Sequence, residues 1–274
     1  MRALIIGLGR AGKRHARIAQ SLGLQVGAAD PNVADPLVRW PYASQALEQE
    51  HWDCAVIATP PVLHLVQVCL CLDAGLPVLC EKPLCALGQL EEAKQLPADA
   101  RVMMFFNYRF HPALLNMRQR ASPLPKPEWE FTAWQHRELP SWGLLTDHCS
   151  HDLDILEWLA GPLQVTGTQY TTADWGECWD IEGTTAAGEP FHISEGVENQ
   201  PIDRFAILST PTHWAAIPRN EQMYEDAWNH FIHSMKENQP FSPGIKDGIR
   251  IQKLLEEVAD IATQRHGKDY LNKE

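Results

Sequence analysis

The sequence predicts an α/β protein in which a doubly wound parallel sheet comes first and a smaller α/β domain with a small antiparallel sheet follows. Three observations carry that expectation. Short, continuously apolar runs alternate with helical patterns through the first 110 residues. A glycine-rich turn joins the first run to the first helix, and after His111 the pattern changes to alternating strands and two closing helices.

Taken in order, residues 3–6, 24–29, 54–58, 78–80 and 102–106 are short apolar runs bounded by Gly, Pro or Asp, as strands covered on both faces are. Between them, residues 11–22, 44–50, 62–74 and 89–96 carry helical patterns, with Ser44 expected as an N-cap and Gly75 just past the end of the third helix. A short helix ends at Arg120, and the proline-rich residues 122–127 read as a connector because proline has no N–H to give to a ladder. Residues 128–137 alternate, residues 147–159 read as a helix stopped by Gly161-Pro162, and residues 163–217 hold several short strand-like pieces. Two helical patterns, 222–236 and 245–263, close the chain, the second with Ile249, Leu254, Leu255, Val258 and Ile261 near helical spacing.

Composition narrows the function. Of 274 residues, 45% are hydrophobic and 21% charged, the balance of a folded globular chain. The net charge of −12 repels phosphate backbones and anionic lipid, which argues against nucleic-acid and membrane partners. The apolar stretch 62–72 is broken by His64 and Gln67 and falls short of the roughly 20 residues a membrane span needs. The chain opens directly into a strand pattern, without a signal-peptide h-region, so a cytoplasmic protein is expected. Seven cysteines, with no C-x-x-C pair, read as reduced buried thiols, and no metal is expected.

Four groups of residues point to chemistry. Gly7-Leu8-Gly9-Arg10-Ala11-Gly12 follows the first strand and opens the first helix, where glycines let backbone N–H groups approach a pyrophosphate. Asp30 ends the second strand, where a carboxylate can bond ribose hydroxyls; it would repel a 2′-phosphate, and residues 31–38 contain no Lys and no Arg, so NAD is favoured over NADP. Asp30 could equally cap the turn at Pro31-Asn32. Thr59, Pro60 and His64 stand at the carboxyl end of the third strand, the ligand edge of such sheets, with a surface helix position as the alternative for His64. Glu81-Lys82-Pro83 ends the next strand at the same edge, where a partly desolvated lysine can donate to a substrate oxygen; the proline is a candidate for a cis bond.

The fourth group is Asp147-His148-Cys149-Ser150-His151-Asp152. Asp147 and His151, four apart, fall on one helical face and could hold an imidazole for proton transfer. Two other readings stay open at this point: Asp147 as a helix N-cap, and a metal site of His148, His151 and a nearby carboxylate.

In order along the chain, Gly7-x-Gly9-x-x-Gly12-x-x-His15, Asp30, Ala58-Thr59-Pro60-x-x-x-His64, Glu81-Lys82-Pro83, Asn107-Tyr108-Arg109-Phe110, Asp147-x-x-x-His151-x-x-Asp154 and Asp247-Gly248-Ile249-Arg250 resemble the Gfo/Idh/MocA family of oxidoreductases. The resemblance implies an NAD(P)-binding Rossmann domain over residues 1–110. Residues 111–274 would form a substrate and oligomerisation domain with an open, mostly antiparallel sheet, the last helix packing back on the first domain. It implies hydride transfer between nicotinamide and a hydroxyl or ketone of a sugar, cyclitol or nucleotide-linked sugar. Lys82, Asp147 and His151 would be catalytic, with Arg109 beside them on substrate. Gly7, Leu8, Gly9, Arg10, Ala11, Gly12, Asp30, Thr59, Pro60, His64, Glu81 and Lys82 would hold the cofactor. A dimer or tetramer is expected. Cys149 stands where the family usually has glycine, and the single Gly143 replaces a glycine run. The rival functions are a non-catalytic NAD(P)-binding sensor or regulator of the same fold, and a metal-dependent lyase or hydrolase using His148, His151 and Asp152.

Overall fold

The first apolar run forms β1 (Arg2–Ile6), in which Ala3, Leu4 and Ile5 are completely buried. There follow α1 (Arg10–Ser21), β2 (Gln25–Ala29), β3 (Val38–Trp40), α2 (Ala43–Gln49), β4 (Cys54–Ile57), α3 (His64–Asp73), β5 (Val78–Cys80), α4 (Leu90–Ala93) and β6 (Val102–Met104). Their strands are all parallel, in the order β3-β2-β1-β4-β5-β6. Chain order reverses between β1 and β4, and ligands of such sheets bind at the carboxyl ends of the strands beside that point. The structure is a computed structural model and describes residues 1–120, 128–135, 142–174, 176–198, 205–210, 213–218, 220–267 and 270. The proline-rich connector at 122–127 lies outside the described residues.

Two local expectations fail for physical reasons. Strand β3 was not expected: it is three residues long, only Trp40 is buried, and its pairing with β2 rests on backbone bonds such as Asp30 N–H to Trp40 O at 3.1 Å. Ser44 is not an N-cap. Helix α2 starts one residue earlier, after Tyr42, because burying Ala43 and Ala46 three residues apart sets the register and leaves Ser44 exposed inside the first turn.

In the second half, α5 (Pro112–Arg120) precedes β7 (Trp129–Gln135), and a π-helical turn (Leu145–Cys149) leads into α6 (Ser150–Ala160). The strands β8 (Leu163–Ala173), β9 (Gly176–Thr185), β10 (Pro190–Glu198), β11 (Phe205–Thr210) and β12 (His213–Ala216) follow. The sheet order is β12-β11-β7-β10-β9-β8, antiparallel except where β10 runs parallel to β7. The sequence suggested several short pieces; β8 and β9 are instead 11 and 10 residues long. Their outward threonines, glutamines and glutamates break the apolar pattern without breaking the ladder.

Helices α7 (Gln222–Lys236) and α8 (Ile245–His266) end the described chain. The chain divides into two compact units, one of Met1–Phe106 with Tyr224–Ile249 and one of Asn107–Met223 with Arg250–Glu274. It is therefore α7 that returns to the first unit, with only the opening turn of the last helix, whereas the last helix as a whole was expected there. Aromatic packing explains the choice: Tyr224 lies 5.9 Å from Phe105, and Trp228 lies 6.0 Å from His15.

Candidate active site

Three glycines at the end of β1 have three different reasons to be glycine. Gly7 has φ +88°, and a Cβ there would come within 2.8 Å of the Ala58 backbone. A Cβ on Gly12 would run into the Gly7 carbonyl, so close packing of helix on strand demands glycine. Gly9 is different. Its φ of −69° suits any residue, and no atom lies within 4 Å of where its Cβ would be. The protein's own packing does not require glycine there, and the opening suits the close approach of a ligand's phosphates to the N-terminus of α1. Arg10 and Ala11 begin that helix, with Arg10 exposed.

Asp30 takes the turn-capping role weighed from the sequence and adds a bracing one. Its Oδ1 accepts the Asn32 N–H at 2.8 Å, closing the turn, and its Oδ2 accepts the Leu8 N–H at 2.7 Å, bracing the glycine turn. The carboxylate keeps acceptor capacity for ribose hydroxyls. Leu8 itself is fully buried, so it offers this edge only backbone. At the end of β4, the Thr59 hydroxyl oxygen is buried without a hydrogen-bond partner, beside exposed Pro60. An orphaned polar atom, a cradle open at Gly9 and a ribose-ready carboxylate together fit a dinucleotide.

His64 is not a surface helix residue. It is 1% exposed, with Nδ1 2.7 Å from Pro83 O and Nε2 2.8 Å from Thr59 O, so it ties the end of β4 to the end of β5 from beneath. Burial holds its pKa below the ordinary value, against the pull of the two carbonyls and Glu81. Its part at this edge is thus to fix backbone. The Lys82-Pro83 peptide is cis, and Lys82 is half-buried. Glu81 accepts from His15 Nε2 at 3.1 Å. Burial pushes the Glu81 pKa up, but the His15 hydrogen bond and the electrostatic pull of His15, Lys82 and His64 outweigh it and hold the carboxyl below the usual range.

In the second unit, Asp147 lies inside the π-helical turn, so the N-cap reading fails. Such turns recur at functional sites because the extra residue re-aims side chains. Asp147 Oδ2 stands 3.4 Å from His148 Nε2, and His148 Nδ1 stands 3.6 Å from Glu195 Oε1 on β10. His151, one turn on, packs edge-to-face on Tyr108 with ring centroids 4.9 Å apart. Arg109, expected on substrate, has its guanidinium on Asp154: Nε donates at 3.0 and 3.1 Å, and the NH2 group at 2.6 Å. Among the described residues, no group of three His, Cys, Asp or Glu is arranged to hold a metal ion. All seven cysteines are free; six are buried, whereas Cys69 is exposed on α3 against the expectation of buried thiols, and burial pushes Cys54 and Cys71 up to about 12. No helix among the described residues is long and apolar enough to cross a membrane.

Sequence reasoning passed over Trp228, the role of His15, Glu195, and Asp154 as the partner of Arg109. Spacing offered no signal for Trp228 and Glu195, which lie far along the chain from their partners. His15 and Asp154 were visible only as motif positions.

The first unit thus defines a dinucleotide-binding protein of the Rossmann type. The chain matches the Gfo/Idh/MocA family twice, as an oxidoreductase family with NAD-binding Rossmann fold over residues 1–107 and as that family's C-terminal alpha/beta domain over residues 123–207; it belongs to this family. An inositol 2-dehydrogenase of Corynebacterium glutamicum is 32% identical over 127 residues, 42% of this chain and 37% of the relative, so the match spans little more than a third of that protein. In fold, the chain is similar to a myo-inositol dehydrogenase from Corynebacterium glutamicum, with TM-score 0.79 at 19% identity over 97% of each chain. It is also similar to a myo-inositol dehydrogenase from Lactobacillus casei solved with NAD(H) and myo-inositol. That comparison gives TM-score 0.79 at 17% identity, over 98% of this chain and 95% of that one.

Proposed function

We propose that the protein is an NAD-dependent dehydrogenase or reductase of the hydroxyl or ketone group of a sugar, cyclitol or nucleotide-linked sugar. The observation that carries the reading lies in the first unit. The Glu81-Lys82 pair follows β5 on the same sheet edge as the glycine turn after β1, with the Glu81 carboxylate bonded to His15 and the carbonyl of the next residue, Pro83, bonded to His64. A lysine fixed at the edge where a nicotinamide would lie is suited to hydride chemistry on oxygen. The 32% identity to an inositol dehydrogenase supports a polyol substrate.

When bound, NAD supplies the hydride acceptor. Gly9 and the N-terminus of α1 take its phosphates, Asp30 its ribose, and Thr59 and Pro60 line the path of the dinucleotide. The carboxylate of Asp30 favours NAD over NADP, since a 2′-phosphate would meet like charge there. Lys82 donates a hydrogen bond from Nζ to the reacting oxygen and stabilises the charge that grows on it. The His151 imidazole takes the carbinol proton as the C–H electron pair leaves, so the carbinol becomes a carbonyl with one proton and one hydride removed. An imidazole pKa of about 6.5 suits that duty near neutral pH. Asp147 orients His151 or a neighbouring substrate hydroxyl, and Arg109 holds Asp154, one turn beyond His151 on α6. The same reading takes the protein as a cytoplasmic homo-oligomer, dimer or tetramer.

The test is turnover with NAD and a panel of inositols, sugars and nucleotide sugars, with Lys82→Ala and His151→Ala as controls. Substrate-dependent NADH formation that falls at least a hundredfold in both variants is expected. Turnover within a few-fold of wild type in both would overturn the roles. Tight NADH binding without any turnover would favour a sensor.

A further inference from the structure

Helix α7 places Trp228 in the first unit, fully buried, with its indole Nε1–H donating to His15 Nδ1 at 3.0 Å. An indole N–H can only donate, so Nδ1 must carry its lone pair and His15 is confined to the neutral Nε2–H tautomer. That Nε2–H meets Glu81 Oε1 at 3.1 Å, and Glu81 Oε2 accepts the backbone N–H of Lys82 at 3.3 Å. His15 is 1% exposed and its ring is fixed edge-on against Phe105 at 4.5 Å, so it has no room to turn over. An imidazolium at His15 would set an N–H against the indole N–H, donor to donor.

We propose that Trp228 and His15 are positioning residues for Lys82: by barring the charged form of His15, they hold the Glu81 carboxylate in place while reserving its negative charge for the neighbouring Lys82. Among the described residues, the charged and titratable groups around Glu81 include His15 from α1, His64 from α3, Lys82 itself and the Cys80 thiol, which burial and Glu81 push up. Both ring nitrogens of His64 are taken up by the Pro83 and Thr59 carbonyls, so Lys82, next in the chain, is the neighbour that Glu81 serves. Lys82 then keeps a counter-charge beside it while its Nζ donates. An imidazolium at His15 would instead pair with Glu81, and Lys82 would lose its counter-charge. This inference rests on the reading of Lys82 given above and extends it to two residues that touch neither cofactor nor substrate.

The test joins nitrogen NMR of histidine with steady-state kinetics on wild type, Trp228→Phe, His15→Leu and His15→Gln. In wild type at neutral pH, the His15 signals should show the Nε2–H tautomer. Trp228→Phe keeps an aromatic ring but removes the N–H donor together with part of the buried indole, so with an NADH Kd within about twofold as the check on folding, His15 should no longer be held to one tautomer and kcat should be several-fold lower. His15→Leu should lower kcat tenfold or more, again with NADH binding retained as the check on folding. His15→Gln can still donate to Glu81 and accept from Trp228, and should recover kcat to within about threefold of wild type. An Nδ1–H or doubly protonated His15 in wild type at neutral pH would overturn the proposal. So would a folded His15→Leu with wild-type kcat and KM, or a His15→Gln no better than His15→Leu. Absence of turnover in wild type itself would sink the reading of Lys82 and this inference with it, whereas active wild type with an indifferent His15→Leu sinks this inference alone.

Discussion

Substituting Gly9 by alanine separates ligand from fold. The residue has φ −69° and ψ −158°, and nothing lies within 4 Å of the added methyl, so neither strain nor overlap arises in the protein. Alanine restricts the unfolded chain, a gain of about 0.4–1 kcal/mol. Gly9 is also the N-cap of α1, where alanine is the poorer residue by an amount of the same order. The two effects offset, leaving stability within about 1 kcal/mol of wild type. Binding should behave otherwise. The methyl occupies the space a pyrophosphate would use against the helix N-terminus, and losing one hydrogen bond to a charged group corresponds to about 1.5–3 kcal/mol, or roughly 10- to 150-fold in Kd. Gly12→Ala is the contrast, because its methyl would collide with the Gly7 carbonyl and unsettle the fold by about 1–3 kcal/mol or more. Thermal melts and NADH fluorescence titrations on the three proteins decide the matter. A Gly9→Ala protein that binds NADH within twofold of wild type, or that melts as early as Gly12→Ala, would refute the reasoning.

Three further outcomes are expected. Asp154→Ala leaves the Arg109 guanidinium, 11% exposed, without its carboxylate, and denaturant unfolding should show a loss of about 3–5 kcal/mol. Asp30→Ser removes the like charge from a 2′-phosphate and loosens the brace on Leu8, so NADH binding should weaken about tenfold or more while the preference over NADPH narrows in paired titrations. His64 has a depressed pKa, so below about pH 6.5 the unfolded chain takes up the proton first; its contribution to stability is full above that pH and is lost as pH falls. Melting temperatures from pH 7 to pH 5 should therefore fall less steeply in His64→Asn than in wild type; equal slopes would contradict this.

The parallel sheet was legible because strands buried on both faces must be apolar throughout, as Leu4, Ile5, Val56 and Leu79 are. The glycine turn was legible because Gly7 and Gly12 answer to backbone geometry that no other residue meets. Strand β3 was not, since Val38–Trp40 has one buried side chain and owes its place to backbone hydrogen bonds. The π-helical turn around Asp147 escaped for a related reason: an i+4 spacing assumes an unbroken α-helix, and one inserted residue displaces it. At the candidate site, the chemistry-bearing types could be read but their partners could not. His64 could be read either as a ligand-edge residue or as a surface helix residue until Pro83 and Thr59 were seen at its two nitrogens, and His15 depends on a tryptophan 213 positions away. Local patterns encode elements, while partners at that distance are chosen by the fold.

The central claim is hydride transfer to NAD from a polyol carbon, and isotope transfer tests it most directly. The protein would be incubated with NAD and an inositol carrying deuterium on its carbinol carbons, and the nicotinamide ring then examined by mass spectrometry. The account predicts one deuterium on the reduced ring per ketone formed, with none when Lys82 is replaced by alanine. Reduced nicotinamide without deuterium, or an inositol consumed with the nicotinamide left oxidised, would contradict it.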